Sequence, residues 1–268
     1  MKLAFLGVGN MGSALIEGAL NSEIVKAGSV TAYDVRKESL LSLKKKLGIK
    51  AASSNRDAVL KSDFIFLCVK PGQMEDLLRE IKPDLAQDQC LVSIAAGVTT
   101  EMIENALAPK KMPLIRVMPN TPALVGNGMA AVTKGRYASS KQIQFAVRFF
   151  SSVGKAAVLD ETLFDAVTAV SGSGPAYVFY LAESLERACR GLGFSRQASE
   201  TLVRQTLLGA GVMLSKDSRS ARELRRNVTS PGGTTEAALR YLEEKRWSEI
   251  FVEAVKKAAE RSRDLGRA

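Results

Sequence analysis

Gly7, Gly9 and Gly12 stand in a G-x-G-x-x-G spacing directly behind the apolar run Leu3-Ala4-Phe5-Leu6, and Met11-Gly12-Ser13-Ala14-Leu15-Ile16 continues as a helical pattern. Few folds accommodate that order. A buried strand that ends in a tight glycine turn and restarts as a helix is the first unit of a doubly wound α/β sheet. The first glycine permits the turn, the second lets the backbone approach a ligand, and the third lets helix and strand pack closely. The free N–H groups at the helix start then hold an anion such as a dinucleotide pyrophosphate.

The rest of the chain extends that unit. Short apolar runs predict strands over residues 2–7, 29–34, 64–69, 90–95 and 114–118, with a later pair near 130–133 and 156–159. Amphipathic stretches predict helices over 12–21, 37–47, 74–81, 100–107 and 140–150. Strand–helix alternation argues for a parallel sheet covered on both faces. Beyond residue 159 strand patterns stop, and helices are predicted over 164–170, 176–190, 196–216, 221–227, 235–244 and 247–264. The segments 176–181 and 202–214 are apolar around much of their circumference. A helix of that kind is buried between neighbours, here with another copy of the chain as the expected neighbour. The expected organisation is a Rossmann-like dinucleotide-binding domain over residues 1–160 and an all-helical substrate-binding and dimerisation domain over 161–268.

Composition narrows the chemistry. The chain has no histidine, so an imidazole base, a histidine-paired nucleophile and a histidine-ligated metal are all excluded. Cys68, Cys90 and Cys189 lack metal or disulfide spacing; no metal is expected, and a reducing cytoplasm suits them. The net charge of +10 comes from lysines and arginines spread beside acids, without a basic tract interleaved with aromatics, so nucleic acid is not an expected partner. Lys2 is followed at once by the strand, so no secretory leader is expected, and no apolar run is long enough to span a bilayer.

Several strand ends carry candidate ligand groups. Asp34 follows Gly12 by about 20 residues, the spacing at which an acid accepts from the ribose hydroxyls of NAD. Arg36 suits a 2′-phosphate instead, and the two side chains pull in opposite directions. Cys68-Val69-Lys70-Pro71 and Ala95-Ala96-Gly97 lie at later strand ends, where ligands of open parallel sheets bind. Asn55 precedes a short helix and reads as its cap or as a ribose contact, with the cap favoured. Ser171-Gly172-Ser173-Gly174-Pro175 and Ser230-Pro231-Gly232-Gly233-Thr234-Thr235 each place small residues and hydroxyls at a helix start, where a carboxylate is favoured. Thr234 or Thr235 reads equally as a plain helix cap.

Taken in order, FLGVGNMGSAL, FLCVKPGQ, SIAAGVT, RVMPNTPALVGNG, DAVTAVSGSGPAYVF and NVTSPGGTTEAAL give the chain its character. Over essentially its whole length it resembles the pyrroline-5-carboxylate reductase family. The resemblance implies reduction of 1-pyrroline-5-carboxylate by NADP(H) or NAD(H) to give proline. It implies that Gly7, Gly9, Asn10, Met11 and Gly12 hold the pyrophosphate and that Asn55, Val69, Lys70, Pro71, Ala95 and Ala96 line the rest of the cofactor. Asn120 is implied near the nicotinamide, and Asn227 reaches the cofactor from a neighbouring subunit. Gly232, Gly233, Thr234 and Thr235 are implied around the substrate, with Thr235 as the catalytic hydroxyl, and Glu161 matches a family acid near the substrate amine. A homodimer assembling into a larger oligomer such as a decamer is also implied. One departure stands out: the family often carries a neutral or small residue where this chain has Asp34, so NADPH preference does not follow.

Imine reduction needs only a hydroxyl or carboxylate partner for the nitrogen, which suits a chain without histidine. A 3-hydroxyacid dehydrogenase on the same architecture normally carries a lysine where this chain has Val178. A nucleotide sensor without turnover is expected to lose the 230–235 turn, which is intact here.

Overall fold

The computed structural model describes residues 1–266. It begins β1 (Leu3–Leu6), α1 (Asn10–Asn21), β2 (Val30–Tyr33), α2 (Lys37–Leu47), β3 (Lys50–Ala51), α3 (Asn55–Val59) and β4 (Phe64–Leu67). It continues α4 (Met74–Ile81), β5 (Cys90–Ser93), α5 (Thr100–Leu107), β6 (Leu114–Met118), β7 (Gly128–Lys134), α6 (Ser140–Phe150), β8 (Gly154–Val158) and α7 (Phe164–Val167). The eight strands form one sheet in the order β3-β2-β1-β4-β5-β6-β7-β8. Every neighbouring pair is parallel except β6–β7, which is antiparallel and joins Met118 to Ala131. The order reverses between β1 and β4, and that switch point is where ligands of such sheets bind.

Side chains alternate across this sheet with period two, and both faces are apolar. On one face Leu3, Phe5, Phe64, Phe66 and Val92 pack with Leu15 and Ile16 of α1, Leu40 of α2, and Phe145, Phe149 and Phe150 of α6. On the other, Ala4, Leu6, Ile65, Leu67 and Leu91 pack with Val59 of α3, Leu77 and Ile81 of α4, and Ile103 of α5. Phe5 and Phe66 are direct cross-strand partners, stacked with centroids 4.4 Å apart, and Phe149 lies 4.5 Å from Phe66. The strands β1 and β4 are thus locked by an aromatic stack beneath the glycine turn.

The remaining elements are α8 (Gly174–Gly191), α9 (Arg196–Lys216), α10 (Ala221–Asn227), α11 (Thr234–Glu244) and α12 (Trp247–Leu265). By compactness the chain divides into Met1–Ser173 together with the chain from Ala258 onward, and Gly174–Lys257. In the first unit, Ser262 of α12 donates to Asp165 at 2.7 Å, and a Cβ on Gly266 would press on the Gly97 carbonyl at 2.8 Å. In the second unit Phe179, Tyr180, Leu208 and Ile250 are all more than half exposed. No helix among the described residues is long and apolar enough to cross a membrane.

Three local expectations change. The short edge strand β3 lacks any apolar run of its own and forms by pairing with Thr31 and Ala32. The later strands β7 and β8 run against the others, because α6 returns the chain parallel to β7 rather than to β6. The helix expected over 164–170 is α only to Val167 and widens to a π-helix over Thr168–Gly172. Truncating Phe66 to Ala removes the centre of the aromatic stack and is expected to cost about 3–5 kcal/mol, read as a lowered denaturation midpoint.

Candidate active site

Gly7 leaves β1 with φ of +98°, a conformation that L side chains rarely adopt. A Cβ on Gly12 would collide with the Gly7 carbonyl, so the helix can start this close to the strand only with glycine there. Helix α1 begins at Asn10 with Gly9 as its cap, no side chain caps it, and its first turn contains no acid. Its leading amides are therefore offered to an external anion. Space above Gly9 is open as well: a Cβ there would meet nothing nearer than an Arg36 nitrogen at 3.6 Å. The loop fits a dinucleotide pyrophosphate.

Just past β2, the Asp34 carboxylate is buried and turned back onto that loop. Its Oδ2 accepts from the Val8 amide at 2.7 Å, and its Oδ1 accepts from the Arg36 amide at 2.8 Å and from Arg36 Nε at 3.3 Å. Burial raises its pKa, but the amides of Arg36 and Val8 and the Arg36 guanidinium outweigh burial and hold it below the usual range.

Gly7, Gly9, Asp34, Arg36, Asn55, Val69 and Lys70 line one cleft of about 550 Å³. Asn55 does not cap α3; Ser54 does, accepting from the Asp57 amide. The Asn55 amide is instead free to face the cleft, where it donates to Glu80 at 2.8 Å. Cys68 lines the cleft as well, and Tyr33, Val35, Gln73, Asp76, Leu77 and Glu80, which were not among the candidate ligand groups of the sequence, complete the walls. The signal was available: Gln73, Asp76, Leu77 and Glu80 share one face of the turns that follow Lys70-Pro71. Ala95 and Ala96 lie outside these walls, and the Ala95 side chain packs into the core beneath the sheet.

Asn120 and Glu161 are also held by protein partners. Asn120 Oδ1 accepts from the Met129 amide at 2.8 Å and its Nδ2 donates to the Ser171 carbonyl at 2.9 Å. It therefore ties the start of β7 to the π-helix, a distortion frequent at functional sites. Glu161 accepts from the Thr100 amide at 2.8 Å, the Thr100 hydroxyl at 2.5 Å and the buried Arg116 guanidinium at 2.8 Å. Arg116 in turn lies over the Phe164 ring at 4.8 Å. Burial raises the Glu161 pKa, and the Thr100 and Arg116 hydrogen bonds outweigh it and lower the value overall.

In the helical unit, Asn227 ends α10, exposed. Ser230-Pro231-Gly232-Gly233 closes as a turn, with the Gly233 amide donating to the Ser230 carbonyl at 3.0 Å. Gly233, not a threonine, caps α11, and Glu236 Oε2 accepts from the Gly232 amide at 2.8 Å. The hydroxyls of Thr234 and Thr235 are consequently not spent on capping.

Comparison with known proteins agrees with this layout. A family model described as pyrroline-5-carboxylate reductase dimerisation matches residues 161–265, and one described as NADP oxidoreductase, coenzyme F420-dependent, matches residues 2–97. A pyrroline-5-carboxylate reductase of Methanosarcina acetivorans is 38% identical over 99% of this chain and 98% of its own length. The chain belongs to the pyrroline-5-carboxylate reductase family. The solved reductase from Coxiella burnetii superposes with a TM-score of 0.93 at 33% identity, covering 100% of this chain and 99% of its own. That of Plasmodium falciparum, solved with NADP bound, gives 0.88 at 34% identity over 99% and 98%. The Rossmann-like sheet and the helical half of this reductase-family chain thus each correspond to a part of the family architecture.

Glu161 provides a test of the internal network. Because its folded pKa is lowered, its stabilisation is complete above the unfolded glutamate value of about 4.3 and is lost as pH falls through the folded value. Glu161→Gln is expected to lose about 2 kcal/mol at pH 7. Denaturation at a series of pH values should show that deficit shrinking below about pH 4.

Proposed function

We propose that this chain reduces the C=N bond of 1-pyrroline-5-carboxylate with NADPH or NADH to give L-proline. The observation that carries the reading is 38% identity to a named reductase over 99% of the chain, spanning both the glycine loop and the 230–235 turn. When bound, the nicotinamide supplies hydride to the imine carbon.

The protein's part is binding and placement. Amides of Asn10, Met11 and Gly12, offered from an uncapped helix, hold the pyrophosphate beside Gly7 and Gly9. Asp34, Arg36, Asn55, Val69 and Lys70 form the adenosine side of the site, a role supported by their shared cleft. Pro71, Ala95 and Ala96 shape the strand ends beside it. Asn120 keeps the segment around Ser171 in place near the nicotinamide, and Glu161, its carboxylate held by Thr100 and Arg116, is the acid near the substrate amine.

Gly232 and Gly233, whose amides close the turn, leave room for the substrate carboxylate, which the backbone amide and hydroxyl of Thr234 hold. Thr235 donates its hydroxyl to the ring nitrogen, a role supported by its freedom from capping. The imine nitrogen takes the Thr235 hydroxyl proton as the C=N electron pair moves onto it, and solvent water returns a proton to the threonine, so no stronger acid is needed.

Residues 1–160 act as the dinucleotide-binding domain and 161–268 as the substrate-binding and dimerisation domain, with Asn227 completing the cofactor site of another copy. Exposed Phe179, Tyr180, Leu208 and Ile250 support burial between copies, in a homodimer that assembles into a larger oligomer such as a decamer. Three free cysteines suit a cytoplasmic enzyme.

Initial rates of NADPH and NADH oxidation with 1-pyrroline-5-carboxylate test the assignment; cofactor binding with no turnover on either would overturn it. Thr235→Ala is expected to lower kcat about 100-fold while leaving NADPH affinity within a factor of about two, the pattern of a lost proton donor.

A further inference from the structure

The acid that follows the second strand of a dinucleotide fold ordinarily accepts from the adenosine ribose, and on that rule Asp34 favours NADH. The geometry points elsewhere. We infer that Asp34 is a clamp on the glycine loop, and that Arg36 is the residue that selects the cofactor, by binding a 2′-phosphate and so favouring NADPH.

An ionised carboxylate offers about four lone-pair directions. Asp34 uses three of them inside the protein, on the Val8 amide, the Arg36 amide and Arg36 Nε, and only 7% of the residue is exposed. The Val8 bond is the one that matters for the loop. Val8 lies between Gly7 and Gly9, so the carboxylate fixes the turn that presents the helix amides. Its charge is already met by two N–H dipoles and a guanidinium nitrogen, which leaves little to repel a phosphate nearby.

Arg36 has the opposite character. Its side chain is 63% exposed, and Nε is its one nitrogen with a partner among the described residues. The bond from Nε to Asp34 anchors the guanidinium and leaves both terminal amino groups unpaired, with one of them 3.6 Å from the point where a Gly9 Cβ would stand. An anchored guanidinium with two free N–H edges at the rim of a pyrophosphate loop matches a phosphate bidentately. The other charges of the cleft are Lys70, Asp76 and Glu80. Asp76 is paired with Arg79 at 2.9 Å and Glu80 receives Asn55 at 2.8 Å, so both acids already have protein partners. Arg36 and Lys70 are left with spare donors, and of the two Arg36 is the one anchored by Asp34 at the edge of the glycine loop.

This inference rests on the proposed NAD(P)H binding, and the test separates the two. Calorimetry is run with ADP-ribose and 2′-phospho-ADP-ribose, which carry no nicotinamide and undergo no chemistry. The wild-type protein should bind the phosphorylated ligand at least about 10-fold more tightly, the scale of one charge-assisted bidentate contact. Arg36→Ala should bring the ratio of the two affinities close to one, mainly by weakening the phosphorylated ligand, and Arg36→Lys should restore part of it. Asp34→Asn should weaken both ligands by a similar factor and leave the ratio in place, with thermal unfolding used to confirm that the variant is folded. A wild-type preference for ADP-ribose, an unchanged ratio in Arg36→Ala, or a loss confined to ADP-ribose in Asp34→Asn would each overturn the inference. Binding of neither ligand by the wild-type protein would instead remove the cofactor reading itself.

Discussion

The contact between β1 and β4 is the constraint on which the site depends. Both strands are buried on both faces, and the Phe5–Phe66 stack sets their register. With that register fixed, the Gly7 turn and the Cys68-Val69 strand end stand side by side: a Cβ on Gly7 would meet the Cys68 carbonyl at 2.7 Å. The cleft is the gap left where helices turn away to opposite faces beyond this pair. Its polar fittings are secondary, since Asp34, Asn55 and Lys70 are all carried on chain segments that leave the same few strand ends.

How a strand end is used cannot be read from which residue occupies it. Asp34 shows this well. Its position after β2 was legible from spacing to the glycines, but the direction of its carboxylate depends on where the Val8 amide points, which only the folded loop determines. Asn55 is a second case. Either Ser54 or Asn55 has the chemistry of a cap, and the structure gives the cap to Ser54 and leaves Asn55 to the cleft. The threonines after Gly233 follow the same logic, because Glu236 reaches back to Gly232 and a glycine with extended backbone starts the helix.

Larger features were legible for a simple reason. The boundaries of α2, α4, α5 and α6 coincide with their amphipathic patterns, since each is a single turn-to-turn stripe against one face of the sheet. By contrast β3 is two residues long and owes its existence to a neighbour, and the reversal of β7 is a matter of chain path that hydropathy does not encode. The π-helix at Thr168–Gly172 is likewise invisible to periodicity: one widened turn changes no residue's polarity. The SGSGP motif drew attention for its glycines, and its Ser171 carbonyl is the atom that Asn120 holds.

The path of α12 bears on the order in which the protein is made. Its final turns count with the sheet-bearing unit, through Ser262 on Asp165 and Gly266 against Gly97, although the helix begins among the residues of the other unit. The sheet-bearing unit is therefore assembled from two stretches of chain separated by more than eighty residues. On a ribosome, every strand of the sheet has emerged long before the piece that settles against the Gly97 loop. The nascent sheet must wait with that loop uncovered until the whole helical segment has been synthesised, so translation couples completion of the first half to completion of the second.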